Sequence, residues 1–385
     1  MCLKAHKSVI IRKTNSHNKA FFTMKLHLIF IGNKFIYNNS LKNYTLRNIE
    51  KSINFIDSIT YFKDSDNSLF LYLEKELNDE NKIIVVTTKK HFSTIGKLIC
   101  TVTSDNQILC DDMLIPQKAS LFEKGSYLLE YNNCILNVIE MDESNKMPPI
   151  LLHNNDTKAI IHIFEESEET LTNILTPIAQ TYEVKFYINK LVDGWLKIDI
   201  LSKRYGDISK FIHSSKKLLP KNIIASSDII SYIIEKLSTN SKKVSFAESC
   251  TGGLLSYYFT KENGASKILD GSLVTYSNSL KENWLAVSAD TLNRHGAVSY
   301  ETVREMSDGI INVSSADYAI SISGIAGDTG GTIDKPIGTV YIGVRCKNQN
   351  IEKHLQFYGD RNYIQEQSAL YAIKMLLLID KETFF

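Results

Sequence analysis

This 385-residue chain has little of what several common chemistries require. Its six cysteines (Cys2, Cys100, Cys110, Cys134, Cys250 and Cys346) are scattered singly, with no C-x-x-C pair and no histidine at metal-ligand spacing. That pattern argues against a zinc site or a disulfide framework and predicts thiols in a reducing cytosol. No apolar run approaches the about 20 residues that span a bilayer, so a cytoplasmic protein is expected. Neither sign of charge dominates: 44 Lys+Arg against 43 Asp+Glu leave +1, giving no global electrostatic case for nucleic acid or an anionic membrane. Histidine, the usual base, is scarce beyond residue 220, where only His295 and His354 occur. His295 adjoins a helix-ending glycine and His354 lies in a strand of alternating polarity, so both read as surface or satisfied side chains. A Ser-His-Asp or Cys-His machine is therefore not expected there. H-x-H, H-E-x-x-H and tight carboxylate clusters are missing as well, so neither metal nor cofactor is predicted.

What is present is ordinary in bulk: 43% apolar and 23% charged residues, the composition of a globular protein, over a length that exceeds one core and predicts two or three domains. Residues 1–23 are basic and polar with Val9-Ile10-Ile11 as their apolar cluster, too short for a secretory segment, and are expected to be a disordered lead or a mis-set start. Residues 24–150 open with strand–helix alternation. Leu26–Ile31, Ser58–Phe62 and Ile83–Thr88 read as strands, with helices over Ser40–Ile56 and Leu69–Leu77, an open α/β sheet. From Ile95 to Met147 the pattern reads as short β-like pieces, until Met147-Pro148-Pro149 breaks the chain. Residues 151–220 read as a small α+β unit and residues 221–385 as a layered α/β domain whose first helix is capped by Asp228. The predicted fold class is thus multidomain α/β.

The chain is organised around Lys243–Tyr276. Val244–Ala247 reads as a strand end; Glu248-Ser249-Cys250-Thr251 follows, and Gly252-Gly253 opens a helix from Leu254. Such a turn lets bare backbone approach a ligand and aims helix N–H groups at a phosphate or an oxyanion. A glycine-softened connection with no ligand is the bland alternative. Cys250 lacks an evident base and reads as a small core residue. What remains is a hydroxyl nucleophile (Ser249, Thr251, Ser266 or Ser323) served by Tyr276 or Lys281. Lys281 falls in the first turn of a helix, where the dipole and burial both disfavour its charge; a solvated surface lysine is the alternative.

Six segments, in order and spacing, resemble the C-terminal domain of the CinA (competence/damage-inducible) family: AESCTGG (Ala247–Gly253), GAS (Gly264–Ser266), VTYSNSLK (Val274–Lys281), HGAVS (His295–Ser299), SGIAGDTGG with KPIGTVYIG (Ser323–Gly343) and GDR (Gly359–Arg361). The resemblance covers about residues 225–380 and implies a nicotinamide-nucleotide amidohydrolase, cleaving the carboxamide of nicotinamide mononucleotide to nicotinic acid mononucleotide and ammonia in NAD recycling. It implies Ser266 as nucleophile with Tyr276 and Lys281 as acid/base pair, and Ser249 as the competing nucleophile or a substrate ligand. Substrate contacts would come from Thr251, Gly252, Gly253, Ser323, Gly324, Gly327 and Gly330, with Arg361 on the phosphate. It also implies a homodimer. The chain departs from the family at Ala265, often a serine, and at Asp328-Thr329, which places an acid near the anion site.

The first 150 residues resemble the family's molybdopterin-binding-like domain more weakly. Gly32-Asn33-Lys34 stands in place of a Gly-Thr-Glu, and Thr88–Ser93 in place of a Gly-rich turn with paired aspartates; Asp111-Asp112 comes too late to serve. The domain is expected to keep the fold and to have lost the ADP-ribose diphosphatase activity, for want of carboxylates to hold a divalent cation. Two readings stand beside the amidohydrolase: a non-catalytic nucleotide-binding or interaction protein, and an ADP-ribose diphosphatase.

Overall fold

The computed structural model describes residues 24–53, 56–144, 146–152, 158–202, 205–314, 316–327, 329–347 and 349–385; the lead expected over 1–23 lies outside the described residues, as does Asp328. The chain forms two compact units that divide between residues 156 and 157.

The first unit runs β1 (Lys25–Ile31), α1 (Asn33–Tyr37), α2 (Asn39–Ser52), β2 (Ser58–Phe62), α3 (Leu69–Asn78), β3 (Asn81–Thr87), α4 (Lys89–Thr103), the hairpin β4 (Gln107–Cys110) and β5 (Met113–Pro116), then β6 (Ala119–Glu123), β7 (Ser126–Tyr131) and β8 (Cys134–Glu140). Its six-stranded sheet has the order β2-β1-β3-β8-β7-β6, parallel through the first four strands and antiparallel at the last two. Strands β1 and β3 are apolar at nearly every position because both faces are covered. Ile29 and Val85 pack toward α3 and α4, while Leu28, Phe30 and Val86 pack toward Ile49 of α2. Ile95–Thr103, expected as β-like, is instead the second half of α4. Phe92, Ile95, Ile99 and Thr103 recur every three or four residues on one buried face, and that helical spacing prevails over the β-branched run Thr101–Thr103. Asp111 and Asp112, at φ 44° and 65°, make the two-residue turn between β4 and β5.

The second unit begins with a four-stranded antiparallel sheet of order β10-β11-β9-β12, built from β9 (Lys158–Phe164), α5 (Glu168–Thr181), β10 (Val184–Val192), β11 (Trp195–Ser202), α6 (Ile208–Leu218) and β12 (Ile223–Ala225). It continues through α7 (Ile229–Thr239), β13 (Val244–Glu248), α8 (Leu254–Thr260), a 3-10 turn at Ala265–Lys267, β14 (Leu269–Val274), α9 (Asn278–Leu285), α10 (Ala289–His295) and α11 (Tyr300–Ser314). β15 (Tyr318–Gly324), β16 (Thr339–Cys346), β17 (Gln349–Gln356), α12 (Arg361–Ile379) and α13 (Lys381–Phe384) complete it. Its second sheet has the order β14-β13-β15-β16-β17, parallel for the first three strands.

Helices cover both faces of this five-stranded sheet. Val244 and Phe246 turn to a core shared with α7, α8 and α12, and Ala247 turns to one shared with α9, α10 and α11. The helix starts are fixed by side-chain caps: Asp228 accepts from Ser231 N (2.6 Å), Ser277 from Leu280 N (3.2 Å) and Ser299 from Thr302 N (3.2 Å). Gly309, inside α11, lies directly on the carbonyl of Leu285, so α11 crosses the end of α9 with no room for a Cβ. Phe164, Val192 and Trp195 of the first sheet pack into the same cluster as α7 and α12, and Lys374 of α12 donates to the Asp193 carbonyl at 2.8 Å. No helix among the described residues is long and apolar enough to cross a membrane.

Candidate active site

β13, β14 and β15 run parallel and end on the same edge, where open α/β sheets place their ligands. Ser249 is the first residue beyond β13. Its N–H donates to Ile322 O of β15 at 2.9 Å, and the residue is buried, with 8% of its surface exposed. The neighbouring strand β14 leads through Thr275, whose N–H donates to Glu248 O at 2.9 Å, into α9. Because Ser277 caps that helix, Lys281 falls one turn in and points back under the strand ends. The residue is 1% exposed, and its amine donates to Thr275 O at 2.7 Å and to Ser249 Oγ at 3.0 Å. An ammonium carries three N–H groups and finds two acceptors here, so the neutral amine fits better. Burial pushes the Lys281 amine down to about 8, against a small opposing pull from the Cys250 thiol. Cys250 itself is buried, and desolvation pushes its thiol up to about 12, which removes it as a nucleophile at neutral pH.

Ser249 and Lys281 therefore meet, whereas Ser266 stands apart from them. It occupies the 3-10 turn at the amino end of β14, exposed, while Lys281 serves the carboxyl end. The six residues of β14 carry the chain about 20 Å between those ends, several times the reach of a lysine side chain. Within this chain the serine paired with the lysine is Ser249, and Ser266 lies at the other end of β14. Tyr276 is likewise not paired with Lys281. It is 60% exposed, and its hydroxyl accepts from Arg361 Nη1 at 3.4 Å. Arg361 begins α12 behind the Asp360 cap and lays its guanidinium across Gly327, where a Cβ would stand 2.8 Å from Nη2. It has no carboxylate partner among the described residues.

The glycine turn differs from expectation in one respect. Glu248, fully buried, folds its carboxylate back over the start of α8. It accepts from Thr251 Oγ1 (2.7 Å), Gly253 N (3.0 Å) and Leu255 N (3.1 Å) on one oxygen, and from Ser256 N (2.9 Å) and Ser256 Oγ on the other. Gly252 N is taken by Ser249 O at 3.1 Å. The hydroxyl of Thr251 and the N–H groups of Gly252 and Gly253 are thus engaged inside the chain and do not cradle a phosphate. Both glycines have positive φ, 61° and 98°; a Cβ on Gly252 would meet nothing, and one on Gly253 would touch Val274 Cγ2 at 3.7 Å. Ser323 donates to Ala297 O at 2.6 Å and is buried, so its hydroxyl anchors the loop before α11. Gly324 is set by packing, because a Cβ there would meet Val340 and the Thr339 carbonyl, whereas Gly330 faces open space.

Sequence reasoning missed three contributors: Glu248, the Thr275 carbonyl and Gln365, whose Nε2 donates to Cys250 O at 2.6 Å. A carboxylate placed five to eight residues ahead of the first helical N–H groups was the available signal for Glu248. The N–H of Thr251 has no hydrogen-bond partner among the described residues. No three His, Cys, Asp or Glu side chains among the described residues converge closely enough to hold a metal ion.

The family model described as "CinA C-terminal domain" matches residues 226–379, a span that contains every residue of this site. A putative competence-damage inducible protein of Clostridium beijerinckii is 41% identical over 338 residues, covering 79% of this chain and 78% of that protein. A CinA-like protein of Thermotoga maritima is 45% identical over 144 residues, 37% of this chain, and the chain spans only 35% of that relative's length. Among solved structures, the competence/damage inducible protein CihA of Agrobacterium tumefaciens is 34% identical and matches 40% of this chain and 97% of its own, with a TM-score of 0.39.

Proposed function

This chain belongs to the CinA family of competence/damage-inducible proteins, and on that footing we propose that it hydrolyses the carboxamide of nicotinamide mononucleotide to nicotinic acid mononucleotide and ammonia. The observation that carries the reading is the buried amine of Lys281 at 3.0 Å from Ser249 Oγ. A neutral lysine takes the Ser249 proton as Oγ attacks the carboxamide carbon, and the carbonyl π pair moves to the oxygen. The unpartnered N–H of Thr251 receives that oxyanion. Collapse breaks the C–N bond while Lys281 returns the proton to the departing nitrogen, leaving a nicotinoyl ester on Ser249 and free ammonia. Water then attacks the ester, gives a proton to Lys281 and releases the carboxylate, and the lysine reprotonates Oγ. Arg361, held over Gly327 beside Tyr276, takes the phosphate of the mononucleotide as a forked donor. None of these steps passes through a metal.

The test is ammonia release from nicotinamide mononucleotide by the full chain. Ser249→Ala and Lys281→Ala lose about a thousandfold or more in kcat, as expected for the nucleophile and its base. Ser266→Ala keeps wild-type turnover, and EDTA leaves the rate unchanged. A wild-type protein that releases no ammonia refutes the assignment; an inactive Ser266→Ala beside an active Ser249→Ala transfers the nucleophile.

A further inference from the structure

We infer that Glu248 is a positioning residue for the nucleophile, an internal anion that occupies the start of α8 and thereby fixes Ser249 against Lys281. The inference rests on the amidohydrolase reading for its catalytic consequence. Five donors converge on one carboxylate that is fully buried, and three of them are backbone N–H groups at the opening of α8. The first N–H groups of a helix have no partner within it. Here the chain supplies the anion itself, one residue ahead of the nucleophile.

The consequence for Ser249 follows from how its turn is held. Glu248 and Ser249 are adjacent, so the backbone between them is pinned from both sides. The Ser249 N–H goes to β15 (2.9 Å), and the Glu248 side chain draws Thr251 and Gly253 underneath. Gln365 of α12 holds the Cys250 carbonyl at 2.6 Å. On the backbone held this way the Ser249 hydroxyl accepts from the Lys281 amine at 3.0 Å. A carboxylate suits this place because it accepts at every lone pair and donates nothing. Glutamine fills the same volume but turns one oxygen into an NH₂ group, which would face either the three donors on one side or the two on the other. The hydroxyls of Ser256, which also reaches Ser272 Oγ at 2.6 Å, and of Thr251 can turn to accept from that NH₂, but Ser256 N on one side, or Gly253 N and Leu255 N on the other, loses its acceptor, and the turn shifts.

The test uses the full chain with two readouts, kcat and KM for nicotinamide mononucleotide and the rate at which a fluorophosphonate labels Ser249, located by mass spectrometry. In Glu248→Gln, labelling and kcat each fall about tenfold or more while KM stays within about twofold, because orientation is lost and the phosphate contact is not. Glu248→Asp keeps the charge, retracts it by one methylene and falls between the two. If Glu248→Gln does not fold, Glu248→Asp is judged by the same criterion. A variant that melts earlier yet labels and turns over at wild-type rates makes Glu248 a structural cap and overturns the inference. A wild type that labels at Ser249 without releasing ammonia refutes the substrate reading alone, and labelling of the variants still decides the role of Glu248. A wild type that does neither removes both.

Discussion

Replacing Lys281 with methionine should change stability in a direction that depends on pH. The amine lies at about 8 in the folded protein and near 10.4 when the chain is unfolded. Between those values the unfolded state holds the extra proton, so wild-type stability rises as pH climbs through this window and is lowest below it. At about 1.4 kcal/mol per pH unit the whole gap comes to about 3 kcal/mol. Methionine fills a similar volume without that cost, but it leaves the Thr275 carbonyl and the Ser249 hydroxyl without their partner, about 1 kcal/mol each. Near pH 7 the variant should therefore be the more stable protein by about 1 kcal/mol, and near pH 10 the less stable by about 1 kcal/mol. Denaturant unfolding at half-unit pH steps from 6.5 to 10 reads the difference directly. A wild-type-minus-variant difference that stays flat across that range would mean that the folded protein does not depress the amine, and the catalytic argument would lose its base.

Other expectations are separate from that one. Arg361→Ala should raise KM for nicotinamide mononucleotide about tenfold or more with a smaller change in kcat, because the forked contact is with a group that does not react; equal losses in both would place Arg361 at the chemistry. His162 accepts from Trp195 Nε1 at 3.0 Å, and burial pushes its imidazole down to about 4. The folded protein therefore binds fewer protons than the unfolded chain between about 6.5 and 4, and stability should drop by about 3 kcal/mol as pH falls through that range. His162→Gln, which retains an acceptor for the indole, should flatten this acid limb in urea titrations, and an unaltered limb would disprove the account. Gly309→Ala should destabilise by about 2 kcal/mol or more, since the added methyl must push α11 off the Leu285 carbonyl; a thermal midpoint equal to wild type would show that the helices part freely.

Legibility in the sequence followed the range of the interaction. Local features were readable: Lys281 near the start of its helix, the Asp228 cap, and the apolar runs of β1 and β3 all follow from neighbours within a few positions. α4 was misread because Cys100–Thr103 has the residue types of a strand, while the spacing of Phe92, Ile95 and Ile99 becomes decisive only with a sheet beneath it. Choosing between Ser249 and Ser266 required the register of β13 with β14, which sends one serine to each end of the sheet. The inward turn of the Glu248 side chain could not be read either, because an acid beside a serine in sequence looks the same whether it faces solvent or a helix start.

The burial of the Lys281 amine has a consequence for the order of events in turnover. With bulk water shut out, its contacts are the Thr275 carbonyl, which cannot carry a proton away, and the Ser249 hydroxyl. In the proposed reaction, a proton captured during attack would stay on the nitrogen until a group lodged at Ser249 could receive it, first the leaving amine and later the regenerated hydroxyl. On that proposal the enclosure that makes the amine costly to fold would also act as a one-gate lock, tying each proton to the reacting atoms rather than to the buffer.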